Sequence, residues 1–120
     1  MLSNRECKSI CRNLKRVDQH NGDTAYMLHH TAVVTERRNG KGNESLYVLN
    51  TDGWTTALTR TVMSDILRSQ VHWHIGVSLY DEDLWFHDAD DNKFWIGDSL
   101  TINKHGLVDD YNYDQGELCA

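Results

Sequence analysis

Residues 51–67 read TDGWTTALTRTVMSDIL. A Gly-aromatic corner, Gly53-Trp54, is followed by threonines at 55, 56, 59 and 61, then by Val62, Met63, Ile66 and Leu67. The last four recur at three- and four-residue spacing, the period of one helix face. The stretch is a turn, a hydroxyl-rich helix start and a helix with one apolar stripe. Thr59 or Thr61 is the expected cap, because a threonine hydroxyl accepts an orphan amide of the first turn. The helix is expected to reach about Ser69. Trp54, Ile66 and Leu67 are expected in the core, with the corner folded onto the stripe.

Upstream, Ser3-Asn-Arg-Glu6 has the form of a capping box. Cys7, Ile10, Cys11, Leu14 and Val17 follow at helical spacing, with Asn21-Gly22 as the stop, so a long N-terminal helix is expected. Thr24 to Thr35 alternates and carries a β-branched run, which predicts one long strand or two short ones. Arg38-Asn-Gly-Lys-Gly-Asn43 is a glycine-bearing hairpin loop, and Ser45–Asn50 returns as a strand. Downstream of the central helix, strands are expected at Val71–Leu79, Leu84–His87, Phe94–Ile96 and Leu100–Ile102, with turns at Asp81–Asp83 and Asp88–Lys93. From Lys104 the chain is polar and acidic, which suits a loosely ordered end. The expectation is a single α+β domain over 1–103 and an acidic tail over 104–120. The domain has an N-terminal helix and a mainly antiparallel sheet of five to six strands around one central helix.

Composition narrows the function classes. The chain has 120 residues, enough for one core. No apolar run approaches the roughly 18–20 residues of a membrane span. The first residues lack the apolar centre of a secretory signal. Three cysteines without regular spacing do not make a disulfide framework, and a reducing cytoplasm is expected. Charge is unevenly placed: residues 1–78 hold ten Lys/Arg against seven Asp/Glu, and residues 79–120 hold two Lys against eleven Asp/Glu. Such polarity steers partners more than it shapes a fold.

Several segments together resemble a small family of proteins found in phages and other mobile elements. They are Asn21-Gly22-Asp23-Thr24, Leu28-His29, Gly53-Trp54-Thr55, Leu58-Thr59-Arg60 and Ile66-Leu67. The family pattern is a glycine turn with a Thr, a Leu-His pair in a strand, and Gly-Trp-x-Thr-x-x-Thr-Arg ahead of a helix. The resemblance spans Asn21 to Ile102. His30 departs from it, because the family often has Gly after Leu-His, and the acidic stretch from Asp109 lies outside it. The family carries no established activity. The resemblance implies a phage-type origin in a bacterial cytoplasm and, with it, anti-defence roles such as anti-CRISPR inhibition.

Four constellations bear on chemistry. His72-Trp73-His74 on a strand would place two imidazoles on one face, with His87 or Asp88 as further metal ligands and a small metal-dependent enzyme as the consequence. The same alternation would put Trp73, Ile75 and Val77 toward the core and both imidazoles away from it, so no metal site and no cofactor are expected. Asp88-x-Asp90-x-Asn92 begins like a calcium loop, but Lys93 and Ser99 stand where that loop needs Gly and Glu. No nucleophile motif or phosphate loop is present, and a non-enzymatic role is expected. Arg12, Lys15, Arg16, Arg38 and Arg60 are candidate nucleic-acid contacts, with Tyr26, Tyr47 and Trp54 as stacking residues. The rival reading assigns partner binding to Asp81, Glu82, Asp83, Asp88, Asp90, Asp91 and Asp98 as one negative surface. That surface would enter a basic groove on a host protein or ribonucleoprotein complex. A sequence pI of about 5.5 favours this reading over direct nucleic-acid binding.

Overall fold

The computed structural model describes residues 1–38 and 45–110, so most of the expected hairpin loop around Asn39-Gly40 and the last ten residues lie outside the described chain. Among the described residues the domain is α+β, with two helices, a six-stranded sheet of order β1 (Leu14–Asp18), β2 (Thr24–Leu28), β3 (Thr31–Arg37), β4 (Leu46–Asn50), β8 (Ser99–Asn103), β9 (Val108–Asp110), and a three-stranded sheet of order β5 (Gly76–Tyr80), β6 (Asp83–His87), β7 (Lys93–Trp95). Every strand pairing is antiparallel. No described helix is long and apolar enough to cross a membrane.

Helix α1 spans Asn4–Ile10 and starts as its sequence requires. The Ser3 hydroxyl accepts from the Glu6 amide at 3.1 Å and the Glu6 carboxylate accepts from the Ser3 amide at 3.0 Å. It does not continue to Val17. Leu14–Asp18 is instead strand β1, paired with β2 (Thr24–Leu28) from Leu14↔Leu28 to Asp18↔Thr24. The physical reason lies in Asn21-Gly22. Between two strands that dipeptide is a hairpin signal and not a helix stop; Gly22 takes φ 90°, and the Gly22 amide donates to Gln19 O at 3.1 Å.

Strand β3 (Thr31–Arg37) pairs with β2, and β4 (Leu46–Asn50) pairs with β3. The chain then leaves this sheet and returns to it as β8 (Ser99–Asn103), hydrogen-bonded to β4 from Asn50↔Ser99 to Leu46↔Asn103. The exit and the return are tied together. The buried Thr51 hydroxyl donates to Gly97 O at 2.8 Å, and the Thr51 amide donates to Asp98 O at 3.0 Å. Strand β9 (Val108–Asp110) pairs with β8, so the first part of the segment expected to be a loose tail is an edge strand.

Between exit and return lie helix α2 (Ala57–Gln70) and strands β5 (Gly76–Tyr80), β6 (Asp83–His87) and β7 (Lys93–Trp95). The cap of α2 is Thr56, not Thr59 or Thr61; Thr59 supplies the amide that Thr56 accepts, at 3.2 Å. Val62, Met63, Ile66 and Leu67 are all buried, as their spacing predicts. The helix packs on β5 and on β3, one strand from each sheet. Ser64 joins it to β5: its hydroxyl accepts from the Val77 amide at 2.9 Å and donates to Val77 O at 3.1 Å. The edge of β5 is thereby closed by a helix side chain where a strand neighbour is missing.

Two substitutions test this core. Leu67→Ala is expected to cost about 2–5 kcal/mol by the cavity it leaves. Ser64→Ala strands one donor and one acceptor of Val77 and is expected to cost about 1–3 kcal/mol. Urea unfolding of both variants measures the two losses.

Candidate functional site

The expected constellations can be placed one by one. His72 and His74 are not on a strand, because residues 71–75 form the turn between α2 and β5. Trp73, expected in the core, is 70% exposed and stacks on His74 with ring centroids 3.5 Å apart. The His72 Nδ1 accepts from the His74 amide at 3.1 Å, which commits one ring nitrogen to the turn. Among the described residues no group of three His, Cys, Asp or Glu is placed to hold a metal ion.

The candidate nucleic-acid contacts are not gathered into one patch. Arg12 lies beside Leu14, at the Leu28 end of the β1–β2 pair, whereas Arg38 follows β3 beyond the Thr24↔Glu36 pair at the opposite end. Arg16 is engaged by Asp18 at 2.9 Å and Arg38 by Glu36 at 3.6 Å. Lys15 is exposed on β1, and Arg60 bonds the Thr61 hydroxyl on the first turn of α2. Tyr26 and Tyr47 are buried and offer no stacking surface. Burial also pushes the Tyr47 phenol up to about 12, with Glu36 nearby adding to the effect.

The acidic residues are likewise divided. Asp81, Glu82 and Asp83 stand at one end of β6, and Asp88, Asp90 and Asp91 at the other. Five extended residues separate the two ends by about 16 Å. Asp88 is not a surface group at all. It is 5% exposed, and its carboxylate accepts from the Asp90 and Asn92 amides and the Asn92 side chain at 2.9–3.1 Å. It holds the β6–β7 turn together. Asp98, which is exposed, follows Ile96, whose amide donates to Leu84 O; this places it toward the Asp83 end.

What the fold does build is a cleft of about 460 Å³ lined by Leu28, His29, His30, Thr31, Val33, Trp54, Thr56, Leu58 and Thr59. Three local features open it. The β2–β3 hairpin turns through His29 at φ 57°, a left-handed conformation that costs a non-glycine residue free energy. Val33 is the extra residue of a bulge, since Tyr26 pairs with Val34 while Met27 pairs with Ala32. Finally, the corner before α2 curls back on itself, with Asp52 at φ 48°, Gly53 at φ 79° and the Trp54 amide donating to Thr51 O at 2.8 Å.

That curl carries Trp54 away from the core that the sequence reading assigned to it. The indole is 60% exposed on the cleft, and Leu58, in the first turn of α2, is 45% exposed beside it. Leu28, Thr31, Val33 and Thr59 are buried beneath. The cleft joins the Leu28-His29 and Gly53-Trp54 to Thr59 segments, which lie far apart in the chain but were both singled out in the sequence. Its chemistry is a small apolar floor with an aromatic wall and a rim of imidazoles and hydroxyls, the makeup of a ligand or partner pocket.

Two measurements follow. Trp54→Ala is expected to leave thermal stability nearly unchanged, within about 0.5 kcal/mol, since the ring contributes little to the core. The second concerns His87. Burial holds its imidazole below the ordinary value, with Asp91 opposing and Arg68 and Lys93 assisting. The unfolded chain therefore takes up a proton that the folded chain resists. Stability is full above about pH 6.5 and falls as pH drops through the folded-state value. His87→Asn should flatten that part of the urea midpoint profile; an unchanged slope would refute the assignment.

No protein-family model, curated protein or solved structure matches this chain.

Proposed function

We propose that this chain is a non-enzymatic binding protein that holds a macromolecular partner in the Trp54 cleft. The observation that supports the reading most is Trp54 itself, 60% exposed at the wall of a concave apolar site with Leu58 beside it. Exposed tryptophan at a pocket is the residue type that most often carries interface energy when it is covered. The partner is a host protein or ribonucleoprotein complex that handles nucleic acid. That choice rests on the resemblance to phage proteins, and inhibition of a defence complex in a bacterial cytoplasm is the role it implies. Direct nucleic-acid binding is less well supported, because the candidate cations are spread over the surface and two of the three stacking residues are buried.

The reading is tested by placing a photo-crosslinking residue at Leu58 in the bacterial host. One host protein should be captured, and excess wild-type protein should compete where Trp54→Ala does not. Truncating Trp54 is expected to weaken the complex by about 30-fold, the equivalent of roughly 2 kcal/mol. Capture from a crosslinker at Glu82 and none from Leu58 would overturn the cleft as the contact and return that role to the carboxylates.

A further inference from the structure

The β5-β6-β7 sheet has two faces, and the core uses one. Val77, Phe86 and Phe94 lie opposite one another across the three strands and pack inward. The other parity carries three rows. Gly76, His87 and Lys93 form the first, Ser78, Trp85 and Trp95 the second, and Tyr80 with Asp83 the third. Tyr80 is 73% and Trp95 46% exposed. Cross-strand neighbours on one face stand within side-chain reach, so the second and third rows make an aromatic surface of Tyr80, Trp85 and Trp95.

This surface is preformed. A Cβ placed on Gly97 would meet three carbons of the Trp95 ring at 3.2–3.5 Å, so the indole is seated against bare backbone. The Trp85 Nε1 is buried and has no acceptor among the described residues. The ends of the face differ in charge. At the Tyr80 end, Asp81, Glu82, Asp83 and Asp98 are exposed, and none is in an ion pair among the described residues. Asp81 and Glu82 are held outward at the hairpin tip by left-handed backbone, φ 52° and 66°. At the other end a Cβ on Gly76 would come within 2.8 Å of the Arg68 guanidinium and 3.0 Å of His87, so Arg68 reaches over the first row beside Lys93.

We infer that this outer face is a docking surface for an arginine-bearing peptide segment of a partner protein, held at its Tyr80–Trp95 end. A guanidinium is planar; it stacks on an indole and forks onto a carboxylate, and both are offered here side by side. Charge decides between occupants. Four carboxylates with no ion pair among the described residues repel a phosphate backbone and attract a cation, while Arg68 and Lys93 repel a second arginine and so confine the segment to the acidic end. The surface shares no lining residue with the Trp54 cleft, and its test does not depend on the cleft.

The test is a titration of the ¹⁵N-labelled full chain with a peptide of alternating arginine and glycine, read at the tryptophan indole N–H signals. Each signal is assigned from its Trp→Phe variant. The Trp95 and Trp85 signals should move at physiological salt and the Trp54 signal should not. Trp95→Ala should weaken binding by about tenfold. Asp81→Asn with Asp83→Asn should weaken it comparably, with the remaining indole signals confirming a folded chain. The lysine–glycine counterpart should bind more weakly, since ammonium lacks the planar stack. Equal affinity for the two peptides, shifts at Trp54 alone, or no binding would overturn the inference. So would a single-stranded oligonucleotide that moves Trp95 where the arginine peptide does not.

Discussion

The double hydrogen bond between Ser64 and Val77 is the contact on which the arrangement of the two sheets depends. Strand β5 is an edge, and its outward amide and carbonyl would otherwise be buried against a helix without partners. A serine hydroxyl both donates and accepts, so one side chain satisfies both groups. With β5 fixed to α2, the apolar stripe of the helix is committed to a space between β5 and β3. The Thr51 contacts to Gly97 and Asp98 then close the excursion from β4 to β8. The sheet with the aromatic face is therefore carried on a helix, not on a continuous ladder.

The same commitment explains where the large side chains went. The core is filled by Tyr26, Leu49, Met63, Ile66, Leu67, Ile75, Phe86 and Ile102, all at 0% exposure. Three of the four tryptophans, 54, 73 and 95, stand substantially in solvent instead. Single exposed hydrophobic residues are ordinary, but these sit on a cleft, on a turn and on a sheet face, and their positions are held by backbone geometry. Gly53 and Asp52 turn Trp54 outward, and Gly97 seats Trp95.

The burial of the Glu36 carboxylate follows from one irregularity. The bulge at Val33 reverses the alternation of β3, so Val33 and Val34 are both buried and Glu36, in phase with Val34, is buried too. Glu36 and Asp23 occupy Arg38 and Arg37. Two cations that look free in the chain are thus engaged at the Thr24↔Glu36 end of the β2–β3 pair. The acidic turns were legible as turns, and a strand between them already sets Asp81–Asp83 and Asp88–Asp91 at its opposite ends. The burial of Asp88 was not legible, because it depends on the amides of Asp90 and Asn92 closing on its carboxylate.

The chain by itself determined the α+β class, the capping box of α1, the buried stripe of α2 and most strands of the antiparallel sheets. Each rests on local periodicity or on a cap within a few residues, and those act before any tertiary contact forms. The pattern of Asp83-Leu-Trp-Phe-His87 also carried the outward direction of Trp85, since alternation around Leu84 and Phe86 leaves it no other side. Tertiary structure alone decided three matters. The segment Leu14–Asp18 became a strand because β2 offered it a ladder, although its apolar spacing also suits a helix. Trp54 left the core because the corner closed on Thr51, and Thr51 was held by a carbonyl 46 positions away. The cleft exists because a β-hairpin turn and a helix start meet across the fold, a juxtaposition of long sequence separation that no local pattern encodes.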